Sequence, residues 1–171
     1  MVVDFNLMNT VFLSIGTNFG EREENLKQAV KMIEAEAGTV KALSSVYETE
    51  PWKMAVNDFF LNMALEIETS LNPHILLEIL LGIEKKMGRS RKDTGYSSRI
   101  IDIDILFFNS LIISDKDLII PHPFIAHRRF VLESLAEIAP QLIHPELEKS
   151  IKSLLEFCTD TCDVRKTGIV L

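Results

Sequence analysis

The alternation of hydrophobic and polar positions along this chain predicts a mixed fold of strands and helices. Apolar runs bounded by turn residues predict strands at 11–15, 40–47, 62–68 and 100–108, with shorter ones at 111–113 and 118–120. A turn-rich loop is predicted at 16–20, directly after the first strand. Apolar residues at helical spacing predict helices at about 21–37, 73–87, 130–138 and 151–157. The second helix has the clearest start, because Asn72 is a favoured N-cap and Pro73 suits the first helical position.

The order of these elements indicates the fold class. The first six run strand, helix, strand, strand, helix, strand, which is the order of the ferredoxin-like split βαβ plan. We therefore expect an α+β, two-layer sandwich with a βαββαβ core, extra strands and C-terminal helices, and with the helices on one face of the sheet. Since no linker or repeat divides the sequence, we expect a single domain over residues 1–171.

Composition and charge narrow the classes of function. The chain has 171 residues and a formal net charge of −7, which argues against nucleic acid and anionic membranes as partners. No apolar run approaches the ~20 residues that a membrane-spanning helix needs, and the N-terminal residues lack a secretory signal pattern. We expect a cytoplasmic monomer in which Cys158 and Cys162 are free thiols.

Two acids stand out within an apolar strand. Asp102 and Asp104 lie in the sequence IIDIDILFF. Residues two apart on a strand project from the same face, with Cα atoms roughly 6.6–7 Å apart. Two like charges so close repel each other, and a hard divalent cation such as Mg²⁺ relieves that repulsion. The alternative is that both carboxylates face solvent on the open side of an antiparallel sheet.

A cationic stretch leads directly into this strand. Residues 85–99 contain six cations and one acid, although the whole chain is acidic. Such a run is compatible with a solvated helix end and loop, and its first lysines complement a helix dipole. Arg89, Arg91 and Arg99 also offer planar guanidinium groups suited to phosphate oxygens. Next to paired aspartates they favour a polyphosphate substrate bridged by metal, while the absence of a P-loop motif excludes P-loop nucleotide enzymes.

A histidine and an amide are further candidates. His122 lies between two prolines in a rigid turn, and the short strands before it are expected to return it to the acids. Asn62 closely follows Phe60, and an amide beside an aromatic ring suits the polar edge of a flat heterocycle stacked on that ring. Single histidines and aromatic clusters are more often structural, and His74 and His144 are interpreted in that way.

The motifs taken together resemble a known family. They occur in order along the chain, as SIGTN at 14–18, YETEP at 47–51, FLN at 60–62, GRSRK at 88–92, RIIDIDI at 99–105, PHP at 121–123 and RRFVL at 128–132. Over about residues 11–157 the chain resembles the 6-hydroxymethyl-7,8-dihydropterin pyrophosphokinases of the folate pathway. The resemblance implies transfer of the pyrophosphoryl group of ATP to the hydroxymethyl oxygen of the pterin, leaving AMP.

The resemblance also implies roles for individual residues. The catalytic set is Arg89, Arg99, Asp102 and Asp104, in which the acids hold two Mg²⁺ ions and the arginines neutralise the triphosphate. Arg89 is expected on a loop that closes over the site. The ATP-binding set is Arg89, Arg91, Lys92, Arg99, Ile105, His122 and Arg128. The pterin-binding set is Thr49, Glu50, Trp52, Phe60, Asn62 and Phe130. In this set the two phenylalanines sandwich the ring, the threonine and asparagine bond its edge, and main-chain groups act around Glu50 and Trp52.

Two other classes of function stay open on the residues alone. Asp-x-Asp pairs also grip diphosphates through a metal in glycosyltransferases and nucleotidyltransferases, and these are distinguished from the pyrophosphokinase by their products. The ferredoxin-like plan also serves as a small-molecule regulatory module. That second alternative leaves the cationic stretch beside two acids unexplained.

Overall fold

The computed structural model describes residues 8–50, 59–88 and 100–171. The strands are β1 (Asn9–Thr17), β2 (Thr39–Leu43), β3 (Tyr47–Thr49), β4 (Phe60–Thr69), β5 (Asp102–Phe108), β6 (Ile113–Ser114), β7 (Ile119–Ile120) and β8 (Val164–Lys166). The helices are α1 (Arg22–Glu36), α2 (Pro73–Lys86), α3 (Arg129–Ile138) and α4 (Ile151–Glu156), with a 3₁₀ turn at Ile125–His127. None of the helices in these ranges has the length and hydropathy that a membrane crossing requires.

The main sheet is organised around β4. This strand pairs antiparallel with β1 on one side and with β2 and β3 on the other. β5 pairs antiparallel with β1 and β8 with β3, so the strand order is β5-β1-β4-β3-β8, with β2 beside β4. β6 and β7 form a separate two-stranded sheet. The α+β class predicted from the sequence is therefore confirmed.

The strands differ from the predicted ones in three ways. The strand expected at 40–47 is divided into β2 and β3, because Ser44 bends the chain and bonds Ala64 of β4 through both its backbone and its hydroxyl. β1 continues through Gly16 and Thr17, which the sequence assigned to a loop, since both residues pair with β4. β8 was not predicted, because a strand of three residues carries too little pattern and depends on a distant partner.

Helices cover both faces of the sheet. Leu13 and Ile15 of β1 belong to a core cluster that contains the buried residues of α1 and α2. Phe12, one position away and therefore on the other face, belongs with Ala64 to a second cluster that contains the buried residues of α3 and α4. The prediction of a two-layer sandwich with helices on one face is thus wrong for the C-terminal pair, which forms a third layer.

A carboxylate on α3 ties this third layer to the sheet. Glu137 accepts hydrogen bonds from the Ser45 backbone and hydroxyl, the Tyr47 hydroxyl and the Lys166 ammonium, at 2.8 to 2.9 Å. Burial alone raises the pKa of Glu137, but the bonds from Lys166, Ser45 and Tyr47 outweigh it and lower this pKa to about 2. Burial and the same hydrogen bond raise the pKa of the Tyr47 phenol. The ionised carboxylate is therefore the form that stabilises the fold.

We expect Glu137→Gln to lower the free energy of unfolding at pH 7 by about 1–3 kcal/mol, the typical range for hydrogen bonds to a charged group. The pKa lies below its ordinary value of 4.5, so the stabilisation is complete above about pH 4.5 and is lost as the pH falls towards about 2. Urea unfolding at several pH values measures both effects. A difference between wild type and variant that stays constant from pH 5 to pH 2 contradicts this prediction.

Candidate active site

One row of residues across the sheet organises the site. Gly16 of β1 stands opposite Asn62 of β4 on one side and opposite Asp102 of β5 on the other. Directly paired residues share a face, so the amide and the carboxylate project from the same side of the sheet with no side chain between them. A Cβ on Gly16 would lie 2.7 Å from Asn62 Oδ1, so any other residue here would force the amide to move. The glycine is required by the position of the amide.

The amide is fixed by a neighbouring strand. Asn62 Nδ2 donates a hydrogen bond of 2.9 Å to the hydroxyl of Thr49, and both side chains are buried. Phe60 lies directly opposite Thr49 and on the same face, and is partly exposed. These three predicted residues are therefore brought together. Glu50 follows β3 directly and is exposed.

The two acids lie beside a cleft at the outer strand of the sheet. Asp102 and Asp104 are both partly exposed on the face that carries Asn62, as the two-residue spacing predicts. β5 has no strand partner beyond it among the described residues, and α2 and the segment 116–123 form the other walls of the cleft. Its volume is about 340 Å³. No group of three or more potential metal-ligating side chains occurs in the described part of the chain.

His122 reaches this cleft as the sequence predicts. Its backbone N–H donates to the Leu106 carbonyl of β5 at 3.0 Å, and its Nε2 lies 4.0 Å from Asp104 Oδ2. Nδ1 accepts from the Phe124 backbone N–H at 3.3 Å, so in the neutral imidazole the proton sits on Nε2. Burial and the Arg128 guanidinium lower the pKa of His122 to about 4, while Asp102 raises it. At neutral pH the ring is an uncharged N–H donor facing the acids.

The start of α3 adds a cation and an aromatic ring. The Arg128 guanidinium lies 4.9 Å from the centre of the Phe124 ring, a cation–π contact that holds it near His122. Phe130 is in the first turn of α3, where it is partly buried against the second core cluster. Both residues therefore come from one short segment, and their positions are coupled through the start of the helix.

Two features of the cleft differ from expectation or were missed. Ile105 lines the cleft, but its side chain belongs to the first core cluster on the face opposite Asp104. Glu84 of α2, which the sequence reasoning did not identify, is buried and accepts from the Ile103 backbone N–H at 2.8 Å. The sequence did contain a signal for this residue, because an acid four residues after the buried Leu80 lies on the same face of the helix.

Several predicted residues lie outside the described part of the chain. They are Trp52, Arg89, Arg91, Lys92 and Arg99. Their roles stay predictions from the sequence.

The sequence is similar to those of known proteins. The sequence matches the family described as 7,8-dihydro-6-hydroxymethylpterin-pyrophosphokinase (HPPK) over residues 12–140. A Bacillus subtilis (strain 168) protein named 2-amino-4-hydroxy-6-hydroxymethyldihydropteridine pyrophosphokinase is 45% identical over 135 residues, covering 78% of this chain and 80% of the relative. A Methylorubrum extorquens protein of the same name is 43% identical over 137 residues, covering 80% of this chain and 86% of the relative.

Solved structures share the fold. The crystal structure of wild-type Plasmodium falciparum HPPK-DHPS superimposes with a TM-score of 0.73 at 20% identity, covering 87% of this chain and 44% of that one. This chain therefore corresponds to less than half of the plasmodial protein. At this level of identity the likeness concerns the fold.

We expect Gly16→Ala to displace the Asn62 amide and break its hydrogen bond to Thr49, because the added methyl meets Asn62 Oδ1 at 2.7 Å. The loss of this buried bond lowers the free energy of unfolding by about 1–3 kcal/mol. Gly82→Ala is the matched control, since nothing lies within 4 Å of its added methyl and a helical Gly→Ala change stabilises by up to about 1 kcal/mol. Urea unfolding and the NMR signals of the Asn62 amide test this, and unchanged amide signals contradict it.

We expect the His122 ring in the unliganded protein to titrate with a midpoint near pH 4, because burial and Arg128 disfavour the imidazolium. The pKa is below the ordinary 6.5, so this group's contribution to stability is complete above pH 6.5 and is lost as the pH falls towards about 4. NMR spectra of the ring from pH 3.5 to pH 8 measure the midpoint, with His122→Gln identifying the signal. A midpoint above 6 contradicts the placement.

Proposed function

Since the chain belongs to the 7,8-dihydro-6-hydroxymethylpterin-pyrophosphokinase family, we infer that the row from Asn62 to Asp102, with Thr49 and Asp104 beside its two ends, is the site of that family's reaction. The chain is an ATP-dependent diphosphokinase that transfers a pyrophosphoryl group from ATP to hydroxymethyldihydropterin in folate synthesis. The observation that carries the location of the site is the placement of Asn62 and Asp102 in one row on one sheet face, with His122 next to Asp104.

The amide end of the row is proposed to bind the pterin. Asn62 and Thr49 present buried polar groups already bonded to each other, which holds them in one orientation for the edge of a heterocycle. Phe60 beside Thr49, and Phe130 from the first turn of α3, are proposed to stack on the two faces of the ring. Main-chain groups around Glu50 and Trp52 complete the proposed set.

The acid end of the row is proposed to hold two Mg²⁺ ions. Asp102 and Asp104 fit magnesium, which favours one or two carboxylates completed by substrate phosphate oxygens and water. The described residues offer no third protein ligand beside them, and this donor set suits a site that the nucleotide completes. When bound, the ions would neutralise phosphate charge and orient the chain of phosphates.

The charges around the cleft support this assignment. The described lining includes four carboxyl groups and one ammonium, from Glu84, Asp102, Asp104, Asp117 and Lys116. An anionic triphosphate cannot enter such a cleft favourably unless added cations offset the acids. We propose that magnesium supplies part of this charge and that Arg89, Arg91, Lys92 and Arg99 supply the rest.

The remaining nucleotide contacts are proposed for groups with the right polarity. The Nε2–H of His122 is a neutral donor suited to a phosphate oxygen, and Arg128 beside it adds a charged one. Ile105 is proposed to contact the nucleotide through its main chain, because its side chain is packed in the core.

The reaction itself demands positioning more than proton transfer. The hydroxymethyl oxygen of the pterin attacks the β-phosphorus of ATP, the bond from that phosphorus to the α,β-bridging oxygen breaks, and AMP leaves. A loose transition state needs little activation of the attacking hydroxyl, whose proton passes to water. The proposed contribution of Arg89, Arg99, Asp102 and Asp104 is to align and neutralise the phosphates in this step.

The proposal also covers the type of fold, the extent of the domain, the oligomeric state and the cellular location. The strand order, with α1 and α2 on one face, supports a ferredoxin-like βαββαβ core to which α3 and α4 are added. We infer one pyrophosphokinase domain over residues 1–171 that acts as a cytoplasmic monomer, with no nucleic acid or membrane partner. The net charge of −7 supports the exclusion of nucleic acid, and the free Cys158 and Cys162 support a reducing compartment.

We expect Asp104→Ala to lower the rate of AMP formation by about 100-fold or more, as for the loss of other groups that stabilise transition-state charge. The assay measures AMP from ATP with and without 6-hydroxymethyl-7,8-dihydropterin, in Mg²⁺ and in chelator. Wild type should be active only with pterin and Mg²⁺ together. Asp115→Ala, which removes an acid paired with His74 on the surface, is the control and should retain wild-type activity.

The same assay separates the alternatives. AMP release from Asp104→Ala near the wild-type rate refutes the metal assignment. Pterin-independent turnover in the wild type favours another nucleotide transferase.

A further inference from the structure

The C-terminal segment, residues 160–167, lies beyond the family match at 12–140 and adds a strand beside the proposed pterin site. β8 pairs antiparallel with β3, placing Val164 opposite Thr49 and Lys166 opposite Tyr47. Thr167 continues the contact, since its backbone N–H and its hydroxyl each donate to the Val46 carbonyl at 2.9 Å. β3 is therefore held on both sides, by β4 and by β8.

The same segment holds the beginning of α3. Asp160 Oδ2 accepts from the Arg129 backbone N–H at 2.9 Å, and its Oδ1 accepts from the Cys162 backbone N–H at 3.0 Å. The residue at the N-cap position, Arg128, provides no side-chain hydrogen bond to the helix. Asp160 therefore supplies from a distance the acceptor and the negative charge that a helix N-terminus favours.

A second bridge runs from this segment to the far end of α3. Lys166 Nζ donates to Glu137 Oε1 at 2.8 Å, and the Tyr47 hydroxyl donates to the other oxygen of the same carboxylate at 2.9 Å. The segment is thus bonded to β3 along its length and to α3 near both of its ends. Thr49 lies on β3 and Phe130 lies in the first turn of α3, so the segment spans the two elements proposed to contact the pterin.

We propose that residues 160–167 are a positioning strap for the pterin, setting the separation between Thr49 on the sheet and Phe130 on α3. This inference rests on the proposed function. Asp160 is a positioning residue, because its bonds are to the backbones of α3 and of the strap. Loss of either bridge lets α3 move relative to β3, and this weakens the binding of the pterin, which both elements are proposed to contact.

The test measures binding of each substrate to the full chain in Mg²⁺. Pterin is titrated by fluorescence with a non-hydrolysable ATP analogue present, and the analogue is titrated separately. Asp160→Ala should raise the Kd for pterin about fivefold, the factor expected from loss of an N-cap acceptor, while the Kd for the analogue, which is proposed to meet only Arg128 at this helix start, should rise less. Asp160→Asn keeps one oxygen acceptor for the Arg129 backbone N–H, but its amide nitrogen cannot accept from Cys162, so it should recover only part of the affinity. Glu156→Ala removes an exposed acid of α4 and should bind both ligands as wild type does.

A second variant acts on the other bridge. Lys166→Met removes the contact to Glu137 from a largely exposed side chain, so folding is retained, and it should raise the Kd for pterin at least twofold. Thermal unfolding confirms that each variant is folded under the assay conditions. Pterin binding within twofold of wild type in the folded variants overturns the strap, as does an equal loss for pterin and the analogue.

These outcomes separate the strap from the function on which it rests. Wild-type protein that forms no AMP with pterin and Mg²⁺ defeats the proposed function. Wild-type activity combined with variants that bind pterin normally defeats the strap alone.

Discussion

The site depends on a glycine that pairs with two strands at once. Because Gly16 has no side chain, Asn62 Oδ1 can lie only 2.7 Å from where a Cβ would be, and Asp102 follows on the next strand. Two strand spacings separate the amide from the carboxylate, roughly 10 Å between backbones. That distance suits our proposal of a heterocycle at one end of the row and a chain of phosphates at the other, with the reacting oxygen and phosphorus between them.

The two ends of this row differ in charge and in exposure to solvent. At the amide end the polar groups are buried and satisfied by each other, as in the bond from Asn62 to Thr49. At the acid end Asp102 and Asp104 stay partly exposed, and His122 is kept neutral by burial and by Arg128. We propose that this neutral donor binds phosphate without competing with cations for the carboxylates. In the proposed site, metal and nucleotide would therefore bind together more favourably than either one alone.

Local patterns predict the elements of this fold well, and long-range pairings explain what they miss. The cap at Asn72 is confirmed by its bond to the Ile75 backbone, and the acids two apart on β5 share a face. Gly16 was assigned to a loop because glycine usually marks a turn, whereas here it pairs on both sides. β8 left no periodic signal, since its place is set by β3, more than a hundred residues earlier. The third layer was missed because buried residues on both faces of β1 resemble a single apolar run.

The same limit applies to the site. A rigid turn and returning strands were enough to predict that His122 approaches the acids, because that geometry follows from nearby sequence. Glu84 was not found, because its contact with Ile103 depends on how α2 packs against β5. The roles of Arg89 and Arg99 still rest on resemblance and charge, since both lie outside the described residues.

The third layer also determines where the site can be. α3 covers Phe12 and Ala64 on the second face, and both are buried in the cluster that it shares with α4. Asp104 lies in the same sheet row as Ala64, two strands further along, yet it is partly exposed. The edge of α3 thus passes between a packed part of this face and an open part. The start of α3 determines how much of this face is open to substrate. The contacts that fix its first turn therefore contribute to substrate binding as well as to the stability of the fold.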